Sequence, residues 1–313
     1  MTRVALIGPA DREEIQRVAL RLEERSAETI LVDTRQPAAI RIAGAAEEAC
    51  GVSLASVGSV YVADLGLPRP FVGDAQGMVD VPASSAALAH SKATWSAWCA
   101  LLERVGRHAL VVNPPRSYDV HALKPFEIAT YCERGWRAPA TLSTDDAEAL
   151  LELPPQFPHG RVRKDLVGGY GYTERLVPPA DAAAAHAALK ESALMAQECI
   201  AGDAVRAFVV NGRVLAAAEI LTQNFGEIDS RRGNARVRRI PLPAKVAETA
   251  VAVAERWRMT FAGVDWMRSS TGEWVLLECN SSPFFVEFER ATGTDIGSAL
   301  ADLLLRRAHR SRS

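Results

Sequence analysis

The chain has 313 residues, too many for one simple core and enough for two or three lobes. Its 48% hydrophobic and 24% charged content is that of an ordinary globular chain, and the 36 Lys and Arg against 38 Asp and Glu leave a formal charge of −2, so nothing global favours nucleic acid or an acidic membrane as partner. No apolar run reaches the length that spans a bilayer, the first residues read as a strand rather than a signal peptide, and the cytoplasm is the expected compartment.

Residues 3–8 form an apolar run ending at Gly8 and Pro9, an amphipathic helix pattern follows over 11–25, and a second apolar run occupies 29–32. Strand, helix, strand is an α/β opening. It lacks the GxGxxG of a dinucleotide fingerprint. Two or three short strands are expected over 40–65, a loop over 68–81, and a long helix over 84–105 that packs through Trp95, Trp98, Leu101 and Leu102. His90 and His108 have no ligand partners nearby in sequence. Asn113, Pro114 and Pro115 mark a boundary and close a first unit at residue 112.

The next unit, 113–195, opens with a helix that starts at Lys124 and Pro125, a proline in the first turn being preorganised for it, and runs to about 134. A strand and helix follow 139–144, and His159 sits on an exposed loop. Residues 161–164 are strand-like and end in Lys164, ahead of Gly168, Gly169 and Gly171. Glycines let backbone N–H groups wrap phosphate oxygens, and a lysine adds a compact positive charge. No Gly-Lys-Ser/Thr makes this a Walker loop, and a plain hairpin turn remains an open reading. Only five lysines occur in the chain, which draws attention to Lys124 and Lys164.

The last unit, 196–313, reads as strand, turn and strand up to Asn211 and Gly212, a strong hairpin signal. Arg206 lies on the second of these strands. A planar, permanently charged fork there can grip a phosphate and steady its charge, or it can be a surface partner of Asp203 or Glu219. Arg236, Arg238 and Arg239 make a local basic patch, helices are expected over 244–258 and 297–307, and the five cysteines, too dispersed for a CxxC or disulfide pattern, are expected to be reduced core residues.

Residues 261–280 hold two apolar runs around a polar turn ending in Gly272, which predicts a β-hairpin. Pairing Arg268 with Glu273 sets Val264 against Leu277, Asp265 against Leu276 and Gly263 against Glu278. Alternation then places Val264, Trp266, Val275, Leu277 and Cys279 on a core face, and Asp265, Glu278 and Asn280 on the other. Three oxygen-bearing side chains beside a glycine suit a hard cation such as Mg²⁺. The bland alternative is a solvated sheet face.

Asp265, the hairpin turn, then Leu277-Glu278-Cys279-Asn280-Ser281-Ser282-Pro283 resembles the metal-binding end of the ATP-grasp ligases. The likeness is strongest to their RimK-like branch, which includes the enzymes that cross-link ribosomally made peptides of the microviridin type. It covers about 113–307. The resemblance implies the ATP-grasp fold: an N-terminal α/β domain, a small central lobe and a C-terminal antiparallel-sheet lobe. It further implies that Lys124, Lys164, Gly168, Gly169 and Gly171 hold the ATP phosphates, that Gln197, Glu198 and Ile200 line the adenine pocket with Asp203 near the ribose, that Arg206 and Arg231 act on the reacting groups, and that Asp265, Glu278 and Asn280 hold one or two Mg²⁺, with Mn²⁺ able to stand in. The implied activity is ADP-forming ligation of a carboxylate to an amine or hydroxyl through an acyl phosphate. Its substrates would be a peptide or an amino acid, with no nucleic acid or membrane partner and with a homodimer left open. A small-molecule kinase and a nucleotide-binding regulator are the alternatives. Serine stands at 230, where the resembled family often has tryptophan, and Phe284 and Phe285 follow Pro283, where it often has glycine.

Overall fold

The computed structural model describes residues 3–66, 81–152, 157, 159–164, 166, 173–177, 179–189, 193–221 and 236–308. The chain begins with β1 (Arg3–Gly8), α1 (Glu13–Glu23) and β2 (Glu28–Asp33), then a small meander of β3 (Arg41–Ala43), β4 (Ala46–Ala49) and β5 (Val52–Ser53), then β6 (Ser59–Val62), α2 (Val81–Val105) and β7 (Leu110–Val112). Strands β2, β1, β6 and β7 form a parallel sheet in that order. Both faces of a parallel sheet must be covered, and β1 shows how. Ala5 and Ile7 pack with Trp98, Leu101 and Leu102 of α2, while Val4 and Leu6 pack with Ile15, Val18 and Leu22 of α1.

After a short turn come α3 (Asp119–Ala122), α4 (Lys124–Glu133), β8 (Thr141–Thr144), α5 (Ala147–Leu151), β9 (Arg161–Lys164), β10 (Glu174–Leu176), α6 (Ala182–Leu189) and β11 (Leu194–Glu198). The second sheet is antiparallel in the order β10, β9, β11, β8. Leu194 and Ala196 of β11 bury one face against α5 and α6. Alternation along β11 and its pairing with β9 put Lys164, Met195 and Gln197 on the opposite face.

The third sheet holds β12 (Gly202–Val210), β13 (Arg213–Leu221), β14 (Arg236–Arg239), β15 (Phe261–Ser269) and β16 (Trp274–Asn280), with α7 (Ala244–Arg256) between β14 and β15 and with α8 (Val286–Thr292) and α9 (Ile296–Ala308) at the end. Its order is β14, β13, β12, β15, β16. Val205, Ala207, Val264 and Trp266 pack with Val246, Ala250 and Val253 of α7. On the other face Phe208 meets Phe288 of α8 with ring centroids 5.0 Å apart. Helix α9 returns to the first sheet, where Ile296, Leu300 and Leu304 join Val4, Leu6, Val18 and Leu22 in one cluster. Asn211 and Gly212 have φ of 50° and 73°, the paired left-handed conformations of a type I′ turn between β12 and β13.

Two sequence expectations need correction. The 261–280 hairpin forms as β15 and β16, but Ser269 and Glu273 close the turn, Ser269 N–H donating to the Glu273 carbonyl at 2.8 Å, so Arg268 pairs with Trp274 rather than Glu273. A bulge between Asp265 and Trp266 shifts the register again, and the pairs beyond it are Asp265 with Glu278, Val264 with Cys279 and Gly263 with Asn280. An unpaired residue in one strand re-aims those that follow. Leu276, not Val275, is therefore the cross-strand partner of Trp266 and takes the place expected of Leu277 in the core cluster, while Val275 pairs with Met267. The second correction concerns the free cysteines: Cys279 is buried, Cys50, Cys99 and Cys199 are half-buried, and Cys132 is exposed.

Candidate active site

Asp265 and Glu278 are direct cross-strand partners, and Asn280 lies one residue pair further along the same face. The Asn280 side-chain amide donates to Asp265 Oδ2 at 2.9 Å and to Glu278 Oε1 at 3.3 Å, so all three sequence-predicted ligands meet. Arg206, opposite Asp265 on β12, forms a two-pronged pair with it, Nε to Oδ1 at 2.7 Å and a terminal nitrogen to Oδ2 at 2.8 Å. Lys124 at the start of α4 pairs with the second oxygen of Glu278. Gly263 has to be a glycine, because a Cβ would stand 2.7 Å from Pro283 Cβ and 3.5 Å from Arg206 Cδ.

The charges are strongly coupled. Burial works to raise the Glu278 carboxyl, but Lys124 and then Lys164 pull it well below the usual range, so it stays ionised. Burial raises Asp265 despite Arg206 beside it. Lys124 is held above the ordinary lysine value because Glu278 outweighs its burial, whereas burial lowers Lys164 against the pull of Glu278. Lys164, on the second sheet, thus lies within electrostatic reach of the same carboxylates. With their ordinary charges, Lys124, Lys164 and Arg206 exceed Asp265 and Glu278 by one positive charge, a balance suited to a polyphosphate.

On the hinge side, Gln197 is buried and donates to Thr141 Oγ1 at 3.0 Å. The Glu198 carboxylate is held by Arg137 at 3.0 and 3.2 Å and accepts the Ala140 N–H at 3.2 Å. These two side chains are committed within the protein. Ile200 is half-buried between β11 and β12. Asp203 lies within β12 and pairs with Arg268 at 2.7 Å, and Arg238 pairs with Glu219. Gly168, Gly169, Gly171 and Arg231 lie outside the described residues.

Three residues at this site were not assigned a role from the sequence. Asn113, at the boundary, accepts the N–H groups of Thr260 at 2.9 Å and Phe261 at 3.2 Å and donates to the carbonyls of Phe261 and Ser281, joining the end of the first sheet to the open end of the β15–β16 hairpin. His121 contacts Ser281 Oγ at 3.0 Å, and burial lowers its pKa. Glu127 is 2% exposed; burial pushes its carboxyl up to about 8, although Tyr131 bonds to it. A glutamate one turn after Lys124 was the only sequence signal for it.

A model of the RimK-like ATP-grasp domain matches residues 140–304, more than half of the chain. The "Probable alpha-L-glutamate ligase" of Pseudoalteromonas translucida (strain TAC 125) is 38% identical over 170 residues, 51% of this chain and 54% of that protein. Its namesake in Aliivibrio fischeri (strain MJ11) is 36% identical over 126 residues, 38% of this chain and 40% of that protein. The match to these curated relatives therefore spans about half of their length. Among solved structures, the ATP-grasp ligase PsnB complexed with a phosphomimetic variant of minimal precursor, Mg and ADP aligns with a TM-score of 0.80 at 25% identity, covering 98% of this chain and 99% of that one. The macrocyclase MdnC bound with precursor peptide MdnA from Microcystis aeruginosa MRC aligns with a TM-score of 0.76 at 18% identity over 98% of this chain and 100% of that one, a likeness of fold. Family model and whole-chain fold agree, and the chain belongs to the RimK-like ATP-grasp family.

Proposed function

We propose that the protein is an ATP-dependent, ADP-forming ligase that activates a carboxylate as an acyl phosphate and passes the acyl group to an amine or hydroxyl. The observation that carries this reading is the meeting of anion-binding and cation-binding groups at one point: Arg206, Lys124 and the Asn280 amide all converge on Asp265 and Glu278. The precursor peptides bound to PsnB and MdnC support a peptide as the carboxylate substrate. The same reading divides the chain into units at 1–112, 113–195 and 196–313.

The donor set fits Mg²⁺, whose ligands are oxygens. The Asn280 Nδ2 amide group lies between the two carboxylates, where its hydrogens answer their negative potential, and a turn of the amide presents Oδ1 to a cation instead. Asp265, Glu278 and Asn280 would hold the metal, which supplies charge neutralisation across the ATP phosphates. Lys124 and Lys164 would hold phosphate oxygens from α4 and β9. Arg206 would exchange its grip on Asp265 for the moving phosphoryl group, its fork matching two oxygens at once. Gly168, Gly169 and Gly171 would close over the triphosphate, Arg231 would serve the acyl acceptor, and the backbone at Gln197, Glu198 and Ile200 would meet adenine.

The substrate carboxylate oxygen attacks the γ-phosphorus and ADP leaves. An amine or hydroxyl then attacks the acyl carbon and phosphate leaves with the bridging oxygen. Holding the reactants in line and excluding water prevents loss of the acyl phosphate to hydrolysis.

The test is purified protein with ATP, Mg²⁺ and candidate peptides. ADP formation that needs a peptide, with the peptide losing the mass of water, is the expected result. A stable phosphopeptide or phosphorylated small molecule would make it a kinase, and ATP binding without turnover on any substrate would refute the ligase.

A further inference from the structure

Strand β16 is an edge strand, so one row of its backbone N–H groups has no partner strand, yet it carries Glu278 and Asn280. Three N–H groups in this row are nonetheless taken. Leu276 N–H donates to the Arg137 carbonyl at 2.7 Å, Cys279 N–H to Glu127 Oε1 at 2.7 Å, and Ser281 N–H to His121 Nε2 at 3.4 Å. Leu276 and Cys279 lie three residues apart rather than two because of the bulge at Leu277. All three acceptors belong to residues 121–137, the stretch that also brings Lys124 to Glu278.

We propose that Glu127 is a positioning residue for the ligand strand, fixing Glu278 and Asn280 through the backbone of Cys279 that lies between them. This rests on the ligase reading above. Glu127 is buried at the sheet edge and accepts the Tyr131 hydroxyl from one turn further along α4, which holds its carboxyl oxygen against the strand. It acts on the reacting groups only through its neighbours. The same helix turn carries Lys124, so one anchor sets both the carboxylates and the amine that faces them. A displaced supporting group loosens such a constellation even when every direct contact residue is intact.

The test uses the full chain, with Glu127→Gln, which keeps an acceptor oxygen, beside Glu127→Leu, which has the bulk and no acceptor. Amide hydrogen exchange at Cys279 is read without ligand, and binding of a fluorescent ATP analogue is titrated with Mg²⁺. In Glu127→Leu, exchange at Cys279 is expected to be at least tenfold faster while β12 amides stay unchanged, and half-saturating Mg²⁺ to rise at least fivefold. Glu127→Gln is expected to stay within twofold of wild type in both. Values for Glu127→Leu within twofold of wild type, or equal shifts in both variants, overturn the proposal. If Glu127→Leu does not fold, a wild-type Cys279 amide that exchanges as fast as those of the exposed turn at 270–272 overturns it alone. Failure of wild type to bind the nucleotide with Mg²⁺ would instead count against the ligase reading, because exchange at Cys279 needs neither.

Discussion

Arg206 and Asp265 hold each other by two short contacts while their side chains keep 20% and 15% of their exposure, so each is largely desolvated. Removing one partner strands the other. Arg206→Ala is expected to lower thermal stability, toward the low end of the ~3–5 kcal/mol typical of a broken buried pair, and to cut ligase turnover about 10²- to 10³-fold, as loss of a charge-stabilising donor does. Arg206→Lys should not restore turnover, since an ammonium cannot replace the fork. Turnover within threefold of wild type in either variant would remove Arg206 from the chemistry. Gly263 is a second sensitive point. A methyl group there meets Pro283, so Gly263→Ala should cost about 1–3 kcal/mol by overpacking and weaken Mg²⁺-dependent nucleotide binding by pushing the loop after Asn280 away from Arg206; unfolding and binding titrations read the two effects separately.

At the scale of elements, the β15–β16 hairpin is a strand pair whose open edge and open end are both closed from elsewhere in the chain. Asn113 closes the end with contacts to Thr260, Phe261 and Ser281, roughly 150–170 residues away. Asn113→Ala would leave backbone groups at the open end of the hairpin without partners, and each buried one costs about 1–3 kcal/mol. A loss of at least about 2 kcal/mol in urea unfolding is expected, and a loss under 0.5 kcal/mol would show that water replaces the side chain. The residues of this hairpin were legible in the sequence, because Asp265, Glu278 and Asn280 sit where alternation puts them on one face. The register was not. Turn length and the bulge at Leu277 are decided by how Trp266, Leu276 and Cys279 fill the core under α7, and alternation alone carries no record of that packing. Glu127, His121 and Asn113 were hidden for a related reason: their partners lie some 150 positions on, and a single sequence does not pair distant residues.

Across the whole molecule, the described residues before Asn113 are built into the same core as the end of the chain. Arg12 donates to the Ala63 carbonyl at 2.7 Å, pairs with Glu14 at 3.0 Å and lies 4.5 Å from the Phe284 ring, while Glu14 accepts the Phe285 N–H at 3.2 Å and Ser282 Oγ donates to the Ala63 carbonyl at 2.6 Å. The loop that follows Asn280 is thus gripped by α1 and β6. Together with the α1 and α9 cluster, this predicts that a chain starting at residue 113 will not unfold cooperatively and will bind a hydrophobic dye, because Leu300 and Leu304 lose their covering. A sharp unfolding transition for such a chain would contradict it. The sequence showed the α/β opening of this unit but not that α9 completes its core, since an amphipathic helix does not state which sheet it covers.

The central claim is that a substrate carboxylate becomes an acyl phosphate at the Arg206, Asp265 and Glu278 cluster. It is tested most directly by following ¹⁸O from a substrate peptide labelled in its carboxylates. If the claim holds, one ¹⁸O appears in the inorganic phosphate released for each new bond, and Glu278→Ala releases none. Product formation with unlabelled phosphate would mean that the carboxylate never bonded to phosphorus, and the mechanism assigned to this site would be wrong.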